Sequence, residues 1–177
     1  MKNKWVRTRH KIAFYIFKPL IMLYLAIKYR YRYKKVELEK NQPYLILSNH
    51  QTGDDQFMLN VAFNRHIYFV ANSAIFSIRF ISRIIQYLVA PIPKNKATKD
   101  ISTIRNCMQV VRENGTLAIF PEGNTTFSGV TEHIDIAIAK LAKSLKIPVV
   151  LYNLTGGYKL KPRWATSRQA LLPSSPR

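Results

Sequence analysis

The segment Asn49-His50-Gln51-Thr52-Gly53-Asp54-Asp55 sets one imidazole five residues before a carboxylate. A carboxylate brought across a bend to one ring nitrogen of His50 would leave the other free to act as a base. His50 is therefore the candidate base and Asp55 its orienter, with Asn49 as a supporting neighbour. The rival for the pair is an ordinary structural histidine hydrogen-bonded to a nearby acid. A second polar segment, Pro121-Glu122-Gly123-Asn124-Thr125-Thr126, has turn chemistry, and a tight turn at Pro121 and Gly123 would expose backbone N–H groups to an oxyanion or phosphate. The chain carries no Gly-rich phosphate loop, no metal-spaced His/Cys cluster and no Gly-x-Ser-x-Gly elbow, so neither a metal nor a cofactor is expected. Cys107, the single cysteine, excludes an internal disulfide and reads as a buried, inert thiol in a helical run.

Both polar segments need elements to aim them. Tyr44–Ser48, Ile67–Ala71, Thr116–Phe120 and Ile147–Leu154 are short apolar runs, as expected of strands buried on both faces. Between them the apolar spacing is helical. Phe76, Phe80, Ile81, Ile84, Ile85 and Leu88 form one stripe, with Arg79 and Arg83 off it. Ile101, Ile104, Met108 and Val111 form another, with Asp100 as a potential cap and Asn114-Gly115 as its end. Ile134, Ile138, Leu141 and Leu145 form a third, in a helix expected over Glu132–Leu145. The alternation predicts an α/β domain with a largely parallel or mixed sheet flanked by helices. In such sheets ligands gather beyond the strand ends, where both polar segments fall.

With 177 residues, 47% hydrophobic and 12% aromatic, the chain has enough apolar surface for one core. Its charge is skewed, with 28 Lys+Arg against 9 Asp+Glu and a formal +19, which points to a polyanionic partner. No carboxylate precedes Glu37, whereas Lys2, Lys4, Arg7, Arg9, Lys11, Lys18, Lys28, Arg30, Arg32, Lys34 and Lys35 all do. The apolar run Ile12–Ile27 between these cations is shorter than a membrane span and is interrupted by Lys18-Pro19. It reads as one or two interfacial helices, with Pro19 marking the break and the cations facing lipid phosphates. Tyr29-Arg30-Tyr31-Arg32-Tyr33-Lys34-Lys35 interleaves aromatics and cations, a pattern shared by nucleic-acid arms and membrane headgroup zones. The adjoining apolar run favours the anionic membrane, and no nucleic acid is expected. Three parts follow: a basic membrane-associating segment (1–36), an α/β domain (37–164) and a tail (165–177).

These blocks resemble those of the glycerolipid acyltransferase family, which includes the 1-acylglycerol-3-phosphate acyltransferases. Asn49-His50 through Asp55 is similar to the family's Asn-His-x-x-x-x-Asp block, and Phe120-Pro121-Glu122-Gly123 to its Phe-Pro-Glu-Gly block. Ala90-Pro91-Ile92-Pro93-Lys94 falls where the family has a strand ending in a basic residue that meets the acceptor phosphate, and Ile147-Pro148-Val149-Val150 resembles its hydrophobic fourth block. The resemblance covers roughly residues 10 to 160, with the blocks in order.

The resemblance implies that His50 deprotonates a lipid hydroxyl, which attacks the activated carbonyl of an acyl-carrier-protein or acyl-CoA donor, while Asp55 fixes the imidazole. It implies acceptor or phosphate binding by Lys94, Glu122 and Gly123, with Pro121 supporting the turn. The expected acceptor is a lysophospholipid, with 1-acylglycerol-3-phosphate leading, and the expected place is the cytoplasmic face of the cell membrane, peripheral or monotopic. Two departures stand out. Asn124-Thr125-Thr126 replaces the family's Thr-Arg-Ser, removing a phosphate-facing Arg, and Lys94 is a point charge where Arg is usual; Lys96 or Arg79 are candidates to compensate. The sequence after Tyr158 reads as shortened relative to the family. A catalytically impaired or truncated lipid-binding remnant is therefore the alternative, with a nucleic-acid-binding module behind it.

Overall fold

The computed structural model describes residues 4–72, 87–94, 101–131, 134 and 136–160. Its elements, in chain order, are α1 (Thr8–Tyr29), β1 (Leu45–Ser48), α2 (Asp55–Ala62), β2 (Ile67–Asn72), β3 (Ile92–Lys94), α3 (Ile101–Arg112), β4 (Thr116–Ile119), α4 (Ile136–Leu145), β5 (Val149–Tyr152) and the single turn α5 (Gly157–Leu160). The helix expected over Phe76–Leu88 and the cap at Asp100 lie outside the described residues, apart from the last helical turn at Tyr87 and Leu88.

The sheet has five strands in the order β3-β2-β4-β1-β5, and every neighbouring pair is parallel. All strand C-termini therefore share one edge. The period-two pleat sorts the side chains. Leu45, Tyr68, Leu117 and Ile119 face a core completed by Cys107 and Val110 of α3 and Ile138 and Leu145 of α4. Ile46, Ile67, Phe69 and Ala118 face the other core, under Leu59, Ala62 and Phe63 at α2. Burial pushes the Cys107 thiol up to about 12, which keeps it a neutral packing group.

Four sequence expectations are corrected. The run Ile147–Leu154 contributes only Val149–Tyr152, and this strand is an edge: Val149 and Leu151 are exposed, because no further strand or helix covers their side among the described residues. The sheet-facing stripe of α3 is Thr103, Cys107 and Val110, while Ile101 and Ile104 are exposed and Met108 and Val111 only flank the core. The apolar residues of that helix span more than one face, and the sheet selects the face whose small side chains permit close approach. Helix α4 begins at Ile136, leaving Ile134 exposed ahead of it. Finally, α1 runs unbroken through Pro19 for 22 residues, about 33 Å at 1.5 Å per residue. Proline removes one N–H from the ladder but does not end a helix held along its side by tertiary contacts.

Those contacts are specific. Leu25 packs with Met58, Val61 and Leu154, and Phe14 lies edge-on to His66. The Lys18 ammonium, the charge that interrupts the apolar run, donates at 2.6 Å to the carbonyl of Phe63, where α2 ends. At the far end Asp54 accepts hydrogen bonds from Lys28 (2.6 Å), Tyr24 (3.1 Å) and Tyr29 (2.5 Å). Partial burial alone would raise the Asp54 carboxyl, but Lys28 and the two phenols outweigh it and hold it low. The opposite face of α1 exposes Ile12, Tyr15, Ile16, Leu20, Leu23 and Ile27. By length and composition α1 is apolar enough to cross a membrane, yet its other side is fastened to the domain.

Candidate active site

His50 lies two residues beyond β1, and Asp55 opens α2. Between them the chain folds into a cap whose reciprocal bonds explain why it turns there. The Asp55 carboxylate accepts from the backbone N–H of Thr52 (3.0 Å to either oxygen), from that of Gln51 (2.5 Å) and from the Thr52 hydroxyl (2.8 Å). The Thr52 hydroxyl in turn accepts from the Asp54 N–H at 3.2 Å. Thr52 and Asp55 thus interlock ahead of the helix: the carboxylate takes both Thr52 donors, while the Thr52 hydroxyl takes the Asp54 N–H. The carboxylate also sits at the helix's positive end.

That cap leaves one direction open to Asp55, and His50 fills it. Nδ1 stands 2.8 Å from Asp55 Oδ2; the carboxylate is fully buried, while the His50 side chain is 18% exposed. A buried carboxylate with three other donors accepts a proton-bearing Nδ1, which leaves Nε2 as the ring nitrogen with the lone pair. Phe120 stacks on the imidazole with centroids 4.3 Å apart and planes 15° from parallel. The ring is thus fixed by a hydrogen bond at one edge and an aromatic face on its flank.

The second polar segment meets the first. Beyond β4, Gly123 adopts a positive φ of 68°, and its N–H donates to the Phe120 carbonyl at 3.0 Å. That N–H is used within the turn, so Gly123 shapes the loop rather than offering its own donor to an oxyanion. The turn delivers Glu122, whose Oε1 accepts the His50 backbone N–H at 3.1 Å. Oε2 is buried and has no hydrogen-bond partner among the described residues. A buried carboxylate oxygen without a donor is costly, and a donor from a bound molecule would satisfy it. Thr126 N–H donates at 2.7 Å to the His50 carbonyl, closing the two segments together.

Asn49 holds the opposite flank. Its amide donates to Leu154 O at 2.8 Å and accepts from Leu154 N–H at 2.7 Å, and Gln51 Oε1 accepts from Gly157 N–H at 2.7 Å. His50, Asp55, Glu122, Gly123, Pro121 and Asn49 are therefore brought together at the sheet's C-terminal edge. Lys94 is not in contact with them. It ends β3, exposed and paired in register with Asn72, three strands from β1, roughly 14 Å at the usual strand spacing. Among the described residues no group of three His, Cys, Asp or Glu side chains could hold a metal ion.

Sequence reasoning missed Phe120 as the ring's stacking partner and Thr52 and Gln51 as the groups that hold Asp55 and the Gly157 loop. The Thr52-x-x-Asp55 spacing was a legible capping signal. Nothing local announces the Phe120 stack, because it forms across a strand pairing.

Comparison with known proteins gives the family and the fold. The 1-acyl-sn-glycerol-3-phosphate acyltransferase BAT2 (chloroplastic) of Brassica napus is 25% identical over 121 residues, covering 68% of this chain and 35% of that protein. The crystal structure of the 1-acyl-sn-glycerophosphate acyltransferase PlsC from Thermotoga maritima superposes with a TM-score of 0.69 over 90% of this chain, at 17% identity, and shares the fold. The chain spans about a third of the first relative's length and 66% of the second's. The profile of the acyltransferase family matches residues 30–152, from the end of α1 through β5, and the chain belongs to that family.

Proposed function

We propose that the protein transfers a fatty acyl group from an activated donor, an acyl-carrier protein or acyl-CoA, to the hydroxyl of a lysophospholipid, with 1-acylglycerol-3-phosphate as the leading acceptor. The observation that carries the reading is the 2.8 Å contact between His50 Nδ1 and the buried Asp55 carboxylate, which would leave Nε2 to act as the base. The Nε2 lone pair takes the acceptor's hydroxyl proton as its oxygen attacks the donor carbonyl. Asp55 stabilises the imidazolium that results. The proton then passes to the departing thiolate, and no acyl-enzyme forms because the substrate hydroxyl is the nucleophile. Glu122 Oε2, buried and without a donor among the described residues, is suited to accept a hydrogen bond from a donor group of a bound substrate. Lys94, whose strand ends at the same sheet edge, is the candidate partner for the acceptor phosphate.

The two relatives described above, both named as 1-acylglycerol-phosphate acyltransferases, support this acceptor class. The exposed stripe Ile12, Ile16, Leu20, Leu23 and Ile27, on a helix fastened along its other side, suits a seat in the plane of a membrane surface rather than a free span. The excess of cations would draw it to an anionic, cytoplasmic face. The test incubates purified protein and liposomes with a labelled acyl donor and a panel of lysolipids. Product that is lost in His50→Ala, while vesicle binding persists, supports the enzyme. Lipid association without turnover in the unmutated chain would replace it with a lipid-binding remnant.

A further inference from the structure

A cleft of about 390 Å³ lies between the segment that leaves α1 and the loop that follows β5. Tyr29–Lys34 form one wall; Met58 and Tyr152–Gly157 form the other. Beyond Arg30, whose backbone is left-handed, the Tyr-Arg segment alternates in burial. Tyr31 and Tyr33 turn inward, stacked at 5.6 Å and 16°, and pack with Met58 and Leu154, whereas Arg30, Arg32 and Lys34 remain exposed along the rim. Arg30, Arg32 and Lys34 all line the cleft, so three cations stand on one wall. The lining contains no carboxylate. Asp54, which accepts from Tyr29 at the end of α1, is already held by Lys28. Among the described residues no ion pair engages Arg30, Arg32 or Lys34.

We propose that this cleft is a second anion site, which takes a phosphate ester on the β5 side of His50, away from Lys94. Its volume is that of a small-ligand pocket, and its composition, tyrosine edges beneath guanidinium and ammonium groups, matches a phosphate attached to an apolar or aromatic body. Its far wall is joined to the His50 segment through the Asn49–Leu154 and Gln51–Gly157 hydrogen bonds, so an occupant would lie against the loop that positions the base. Two sources offer this chemistry: a phospholipid headgroup in the surface beside α1, or a soluble phosphate ester. Binding at the cleft is independent of the acyl-transfer reading and is measured without turnover.

The experiment uses the full chain with Arg32→Gln/Lys34→Gln, keeping Arg30 because its backbone is left-handed (φ 47°). A charge-matched control, Lys140→Gln/Lys143→Gln, alters two exposed lysines on α4. One arm titrates inorganic pyrophosphate by calorimetry. The other measures flotation with phosphatidylcholine vesicles with and without phosphatidylglycerol. The cleft variant is expected to lose about thirty-fold in anion-dependent binding, from two cations at a headgroup surface, and the control far less. Loss confined to the vesicle arm identifies a lipid headgroup, and loss in the pyrophosphate arm identifies a soluble ester. Equal losses in the two variants, or none in the cleft variant, overturn the site.

Discussion

Asn49 and Leu154 pair as two strands would, although one partner is a side chain: the Asn49 amide donates at 2.8 Å to the Leu154 carbonyl and accepts at 2.7 Å from its N–H. The pairing extends the β1–β5 ladder past Ser48, its last backbone register, and ties the residue before His50 to the loop beyond β5. Asn49→Ala leaves both Leu154 groups without their partner, and Leu154 is buried. A loss of about 1–3 kcal/mol is expected from denaturant unfolding. Asn49→Asp keeps the volume but sets an oxygen against a carbonyl, and should be at least as harmful. If either variant unfolds at the wild-type midpoint, the pairing contributes nothing to stability.

Asp55 has two tasks that substitution can separate. It orders the cap through the N–H groups of Gln51 and Thr52, and it holds His50 Nδ1. Asp55→Asn presents an NH₂ to one set of donors and permits the wrong imidazole tautomer. Turnover should fall about 10²–10⁴-fold, the scale of general-base catalysis, with little change in the acceptor's KM. Thr52→Val removes only the two hydroxyl bonds, to Asp55 and from the Asp54 N–H; it should cost about 1 kcal/mol of stability and much less activity. Were Thr52→Val to abolish turnover as fully as Asp55→Asn, orientation of the ring could not be the role that distinguishes Asp55.

What the sequence disclosed and what it concealed follow from the range of the interactions. Strands β1, β2 and β4 were legible because a strand buried on both faces leaves a continuous apolar run, and His50–Asp55 because both residues flank one cap. The edge position of β5 was not legible, since Val149-Val150-Leu151 reads the same whether covered or bare. The stripe chosen by α3 depended on which face met the sheet. Pro19 misled because propensity acts locally, whereas Lys18 on Phe63, Phe14 on His66 and Leu25 on Met58 hold the helix from outside.

Lys94 is the proposed phosphate contact that the geometry keeps apart from the base. If an acceptor spans from His50 to the end of β3, Lys94→Ala should raise the acceptor's KM by about ten-fold and leave turnover nearly intact, as loss of binding shared by ground and transition states requires. Lys94→Arg should retain or improve binding through its forked donors. Unchanged steady-state kinetics in Lys94→Ala would remove the residue from the site.

Lys18 offers a test of how α1 is attached. Lys18→Met preserves the stem and the helix but leaves the Phe63 carbonyl without its 2.6 Å donor. A partly exposed, charge-assisted bond of this kind should be worth about 1 kcal/mol. Hydrogen exchange should quicken along α1 with little change in the sheet, since the bond joins helix to domain. Equal acceleration in β1 and β4 would mean that α1 is part of the same cooperative unit.

The imidazoles of His10 and His66 are expected to make the fold sensitive to acid. His10 lies in α1 with Nδ1 3.0 Å from the Tyr68 hydroxyl, and His66 meets the Val89 carbonyl at 3.1 Å; their rings are 5.8 Å apart. Burial lowers each to about 4, aided at His10 by Arg9 and Arg7 and at His66 by His10. Both are therefore neutral in the folded chain at pH values where the unfolded chain, with imidazoles near 6.5, already binds protons. Their contribution to stability is complete above about pH 6.5 and is lost as the pH falls toward 4, because unfolding takes up protons throughout that window. The melting temperature should decline across it, before most carboxylates titrate. His10→Phe/His66→Phe should flatten that slope even if the hydrogen bonds it removes lower the melting temperature at pH 7. An undiminished slope in the double variant would assign the acid sensitivity to other groups.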